Sequence, residues 1–156
     1  MNKEFIPYEQ SLELKELGFN ENCFASYTYD RCNEGAMAFD IKEQNGLRWS
    51  TNTNEECKQY KEPCTAPLYQ QAFRWFREKY NLHSHIEYSK GFYEYWILLD
   101  VVGYDTYEEA ELACLKKLIV TAKAWDDIKK EYHKDTAKVA QDKIVANKMA
   151  DDYKRL

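Results

Sequence analysis

The chain has few of the residues that usually announce chemistry. Its 156 residues include three histidines, three prolines and five glycines, and the glycines stand alone, each accounted for by a turn or loop. There is no Walker loop, no Gly-x-Gly-x-x-Gly, no His-Glu-x-x-His and no Gly-x-Ser-x-Gly. Nothing local therefore gathers backbone amides around a phosphate, two imidazoles around zinc, or a serine onto a strained elbow. Neither an enzyme nor a cofactor is expected. No apolar run approaches the roughly 18–20 residues that cross a bilayer. Met1 to Phe5 lack a basic segment leading into an apolar one, so no secretory signal is read. The expectation is a soluble cytoplasmic protein with no membrane partner.

An excess of positive charge is missing as well. Lys and Arg number 22 against 27 Asp and Glu, net −5, which disfavours sequence-independent attraction to nucleic acid. The balance is uneven: residues 1–119 carry a net −7 and residues 120–156 a net +2. The five cysteines (Cys23, Cys32, Cys57, Cys64 and Cys114) form no Cys-x-x-Cys knuckle, and an odd number gives no closed disulfide framework. They read as reduced thiols acting as small hydrophobes. His83 and His85 are the only local pair of strong metal ligands. In an extended segment they point to one face, but zinc needs two further ligands and no spacing supplies them. A surface pair at a strand entrance is the reading preferred here.

Aromatic residues are abundant, at 15%: thirteen Tyr, seven Phe and four Trp. Rings bury much area per side chain, so the surplus reads first as core. A helix is expected from Pro7, with Tyr8, Leu12, Leu14 and Leu17 inward, Gly18 as its C-terminal stop and Phe19 closing the cap. Residues 23–29 read as a strand. A second strand lies around Met37, Phe39 and Ile41, followed by an Asn45-Gly46 turn and a return over Leu47 to Ser50 with Trp49 inward. Residues 51–65 read as an exposed polar loop. Thr65 and Pro67 open a strongly amphipathic helix carrying Leu68, Tyr69, Ala72, Phe73, Trp75, Phe76 and Tyr80 on one side. A hairpin follows, Ile86 to Ser89, a Lys90-Gly91 turn, and Phe92 to Val101, with the Leu99 end covered on both faces. Thr106 and Glu109 make a capping box. Behind it Leu112, Leu115, Leu118 and Ile119 form a buried stripe in a helix that runs past residue 130, and residues 136–153 also favour helix. The predicted fold is α+β, an antiparallel sheet of about five strands with helices packed on one face. A core domain spans 1–119, and 120–156 form a helical C-terminal extension.

Two surfaces qualify as binding sites. Phe73 to Arg77 interleave aromatic and basic residues as single-strand binders do, although at helical spacing Phe73 and Phe76 fall inward while Arg74 and Arg77 project. The hairpin aromatics Tyr88, Phe92, Tyr93, Tyr95 and Trp96, with Lys90, Arg74 and Arg77 nearby, are the better candidate for a protein or a base-bearing ligand. Leu118, Trp125 and Tyr132 near heptad spacing suggest self-association through the C-terminal helix, with Lys129 breaking the seam.

Three segments carry a resemblance: Phe5 to Phe19 (FIPYEQSLELKELGF), Ala66 to Tyr80 (APLYQQAFRWFREKY) and Thr106 to Ile119 (TYEEAELACLKKLI). Together they resemble a family of small proteins of unknown function from phages and prophages of gut Bacteroides-type bacteria. The resemblance covers most of residues 1–119 and brings no catalytic residues. It implies a phage accessory protein acting inside an infected bacterium, and residues 120–156 extend beyond where that family usually stops. The expected function is noncatalytic binding of a host or phage protein, an interaction that would interfere with host defence. Binding of a nucleotide or single-stranded nucleic acid through the hairpin aromatics is the alternative.

Overall fold

The structure is a computed structural model that describes residues 2–29, 34–38, 42–44, 47–49, 53–59 and 64–153. The chain divides into two compact units, residues 1–122 and 123–156. The first is α+β with antiparallel strands throughout its described residues.

A short 3-10 turn (Asn2–Glu4) leads to helix α1 (Tyr8–Glu16). Its end follows the sequence closely. Gly18 takes φ +87, a conformation that any side chain would strain. Its amide donates to the carbonyl of Lys15 and that of Phe19 to Leu14, which closes a Schellman cap around the buried pair Leu14 and Phe19.

Strands β1 (Ala25–Tyr29), β2 (Glu34–Ala38) and β5 (Cys64–Ala66) form one sheet in the order β2-β1-β5. Strands β3 (Lys42–Gln44) and β4 (Leu47–Trp49) pair separately, with Gln44 opposite Leu47. Phe39, Ile41, the Asn45-Gly46 turn, Ser50 and the side chain of Trp49 lie outside the described residues. Ala25, Tyr27, Cys64 and Ala66 make a small core under Phe5, Tyr8 and Leu12. The Tyr27 hydroxyl donates to the Ile6 carbonyl at 2.6 Å, anchoring the N-terminal segment over this core.

Residues 51–65 are not the exposed loop that their polarity suggests. They contain helix α2 (Asn54–Gln59) and the first two residues of strand β5, and Asn54, Cys57, Cys64 and Thr65 are buried. The cause is one side chain. Asn54 Nδ2 donates to the Phe19 carbonyl at 2.6 Å, and its Oδ1 accepts from the Thr65 amide at 2.9 Å. Thr65 is therefore a strand residue held by Asn54 and not the cap of the next helix. Helix α3 (Tyr69–Tyr80) is capped at Leu68, whose amide donates to Gln71 Oε1 at 3.1 Å.

The apolar spacing of α3 buries Tyr69, Ala72, Trp75, Phe76 and Tyr80. Trp75 sits edge-on to Phe19, Phe76 and Tyr80, with ring centroids 5.1–5.5 Å apart. Such pairs each add about 0.5–1.5 kcal/mol beyond their buried area. Lys79 lies over the Trp75 ring at 4.7 Å and donates to the Leu17 carbonyl, so it ties the end of α1 to α3.

The third sheet is a meander: β6 (Ser84–Ser89), β7 (Phe92–Ile97) and β8 (Asp100–Tyr104). Lys90 and Gly91 both take positive φ, 51° and 93°, as a two-residue hairpin turn requires. The predicted long return strand stops earlier than expected. Leu98 adopts φ 55, the chain reverses, and β8 follows. Leu98 and Leu99 are 62% and 97% exposed, so this end is open rather than covered on both sides.

Helix α4 (Tyr107–Tyr153) begins at Thr106, whose hydroxyl accepts from the Glu109 amide and donates to the Glu109 carboxylate. Ala110, Cys114, Leu115, Leu118, Ile119 and Ala122 are buried, with Leu112 partly so. Contacts of Tyr93 with Tyr107, Ser84 with Cys114 and Asp100 with Lys117 place this stretch on one face of the meander. Strands expected in one sheet are thus divided among three. In the second unit the chain is helical through Tyr153, and Asp127 pairs with Lys130 on its surface.

Replacing Asn54 by Ala leaves the Phe19 carbonyl and the Thr65 amide buried without partners. We expect a loss of about 2–4 kcal/mol in urea unfolding, against under about 1 kcal/mol for exposed Asn20→Ala. Equal losses for the two variants would contradict the role given to Asn54.

Candidate functional site

Strand alternation sorts the meander side chains onto two faces. The register sets His85 opposite Trp96, Glu87 opposite Glu94 and Ser89 opposite Phe92, with Val101 opposite Trp96 and Gly103 opposite Glu94 on the next strand. These residues share the outer face. Ile86, Tyr88, Tyr93, Tyr95, Ile97 and Val102 share the inner face, where α4 packs; Tyr95 and Ile97 are buried there.

The hairpin aromatics singled out by sequence are therefore not one surface. Tyr95 belongs to the core, stacked near Tyr104 with centroids 6.0 Å apart. Tyr88 and Tyr93 pair at 5.0 Å on the inner face, Tyr88 remaining exposed. Phe92 and Trp96 lie on the outer face. Lys90 is exposed in the turn between β6 and β7. Arg74 and Arg77 are exposed on α3 and line a separate recess with Gln70 and Phe73. Arg74 is committed to Glu21 at 2.6 Å, with Glu78 at 3.9 Å.

The outer face has its own order. His85 stacks on Trp96, ring planes 7° apart, at one end; Phe92 packs near Gly103 at the other. Between them stand the Glu87 and Glu94 carboxylates, directly opposed on neighbouring strands. Neither makes a hydrogen bond or ion pair among the described residues, and like charges so placed repel. The Trp96 indole N–H is buried without an acceptor. Beside Trp96 a shallow recess of about 270 Å³ is lined by Asn81, His83, His85 and Leu98. Sequence reading missed Glu87, Glu94, Leu98 and Val101. The reversal between β7 and β8 falls at Leu98 and Leu99 and contains neither Gly nor Asn.

His83 and His85 open onto this same recess, and His83 Nε2 lies 3.2 Å from Asn81 Oδ1. No third ligand joins them: among the described residues no group of three or more His, Cys, Asp or Glu is placed to hold a metal. A larger recess of about 440 Å³ lies between the N-terminal turn, α3 and the start of α4, lined by Tyr69, Phe73, Tyr107 and Glu111 among others. Burial raises the Glu111 carboxyl above its ordinary range there, and Tyr107 donates to it at 3.4 Å.

Every described cysteine is buried. Cys23, Cys57, Cys64 and Cys114 are free and buried; Cys32 lies outside the described residues. Burial pushes Cys23 and Cys64 up to about 12 and Cys114 up to about 11, far from the thiolate that a nucleophile needs.

The residues proposed for self-association fall in both units. Leu118 is fully buried in the core of the first unit and has no surface to offer another chain. In the second unit Trp125 is half-buried and Tyr132 exposed. No helix among the described residues is long and apolar enough to cross a membrane.

No family model, no curated protein and no solved structure matches this chain.

A thiol whose folded pKa lies above its unfolded value stabilises the fold fully below the unfolded pKa, and the stabilisation falls away as pH climbs toward the folded one. Starting from the ordinary value of 9.0 for Cys23 and Cys64, the urea midpoint should fall between pH 8 and pH 11. Iodoacetamide at pH 8 should label Cys23, Cys64 and Cys114 at least about 100-fold more slowly in the native chain than in denaturant. Rapid native labelling, or a midpoint indifferent to pH over that range, would contradict the burial described.

Proposed function

We propose that this chain is a noncatalytic binding protein that engages another protein through the outer face of the β6–β8 meander. The observation that carries the reading is the composition of that face. Two aromatic rows, His85–Trp96 and Phe92, bracket an uncompensated pair of carboxylates. Leu98 borders them in a left-handed conformation that a non-glycine residue adopts at a cost of about 1 kcal/mol or more. Stability alone would favour Gly or Asn in that turn and a polar outer face. The face suits a protein segment offering a Lys or Arg between apolar side chains, with the cation set against Glu87 and Glu94 and the nearby rings.

The buried thiols support a noncatalytic role. The resemblance to phage proteins supplies the setting, a host or phage protein met in the cytoplasm of an infected bacterium, where binding would interfere with defence. The alternative, a nucleotide or single-stranded nucleic acid, is less well served. Opposed carboxylates repel phosphates, Arg74 is already paired, and the aromatics point to different faces.

Affinity capture from lysate of a Bacteroides-type bacterium tests the proposal, using the parent chain, Glu87→Lys and Leu98→Ser, each with and without nuclease. A stoichiometric, nuclease-resistant protein is expected with the parent, reduced at least about tenfold by each variant. Equal recovery by all three chains, or recovery abolished by nuclease, would overturn it.

A further inference from the structure

The meander ends at β8, which among the described residues pairs with β7 alone. Ile97 and Asp100 close the two-residue turn as a pair, and an antiparallel ladder then alternates its hydrogen-bonded positions. Asp100, Val102 and Tyr104 therefore exchange bonds with β7, while the N–H and C=O groups of Val101 and Gly103 point away from the sheet. Asp100 to Gly103 are all exposed, and Val101, Val102 and Gly103 make no other hydrogen bond among the described residues.

Proteins blunt such edges with lysine, proline, a bulge or a covering element. Strand β8 has no lysine, proline or bulge, no described element pairs along it, and its one charge is Asp100 at its start. Its sequence is Asp-Val-Val-Gly-Tyr, its register against β7 is unbroken, and Val101 and Val102 are 41% and 42% exposed. The opposite edge, β6, carries the ionisable His85 and Glu87 instead.

We propose that β8 pairs antiparallel with β8 of a second copy of this chain, with Val102 facing Val102 across a two-fold axis. The register is fixed by the backbone. Val101 exchanges both hydrogen bonds with Gly103 of the second copy, and Gly103 with its Val101, making four bonds and one continuous six-stranded sheet. A slip of one residue would set outward groups against inward ones. Asp100 falls opposite Tyr104, so no like charges oppose each other across the axis. The contact is isologous, as a closed dimer requires. One strand pair buries little surface, so the association is weak, in roughly the micromolar range or above. This pairing uses the strand edge and stands apart from the docking role given to the outer face.

Sedimentation equilibrium of the full chain over roughly 10–500 μM should show the mean mass rising from one chain toward two. Gly103→Pro removes an outward N–H without touching the β7 ladder, and Val101→Lys places a charge on the edge. Each should weaken dimerisation at least about tenfold while the circular dichroism is unchanged. Val102→Cys should oxidise to a disulfide-linked dimer faster than Val101→Cys. A single-chain mass at every concentration would overturn the proposal. So would a dimer that survives both edge variants and is lost with Trp125→Ser or Tyr132→Ser.

Discussion

The side chain of Asn54 ties together three pieces of chain at one buried point, the segment after α1, helix α2 and strand β5. It donates a hydrogen bond to the carbonyl of Phe19, just past the end of α1, and accepts one from the amide of Thr65 in β5. Only a carboxamide of this length does both. Leucine would fill the space and leave two buried backbone groups dry, and aspartate would set a carboxylate against a carbonyl. Placing the Phe19 carbonyl in turn requires the left-handed turn at Gly18, and Lys79 then donates to the neighbouring Leu17 carbonyl from α3. The N-terminal helix, the short helix α2, strand β5 and the aromatic face of α3 are thus fixed by one connected set of polar contacts around an apolar core.

That arrangement divides the first unit into a closed part and an open part. The closed part hides the groups that could react: four cysteines are buried, and the Tyr27 hydroxyl is tied to Ile6. The open part is the meander, covered by α4 on its inner face only. Its outer face keeps rings, unpaired carboxylates and an exposed leucine, and its last strand keeps free backbone groups. Among the described residues, four thiols are thus out of reach while one sheet keeps an exposed face and an exposed last strand.

Much of this was legible in the sequence. Gly18, Lys90-Gly91 and the Thr106–Glu109 box each announced a local geometry that the structure contains, and the period of α3 named its buried face apart from the half-buried Phe73. Two kinds of feature were not legible. The stretch around Asn54 and Thr65 is polar, and the burial of these two goes with contacts of Asn54 to residues 35 positions earlier and 11 later, which no local pattern encodes. The reversal at Leu98 lacks Gly or Asn, so Phe92 to Val101 reads as one strand. That error merged β7 with β8, placed Leu99 in a core, and obscured which aromatics share a face. Once the turn is known, alternation alone separates Phe92 and Trp96 from Tyr93 and Tyr95.

Amide hydrogen exchange of the full chain at low micromolar concentration tests the division between closed and open parts most directly. The account predicts that the Thr65 amide, held by Asn54, is among the slowest to exchange. The amides of Val101 and Gly103 should exchange orders of magnitude faster than that of Val102 between them. Fast exchange at Thr65, or uniform protection along β8 in the dilute chain, would contradict it.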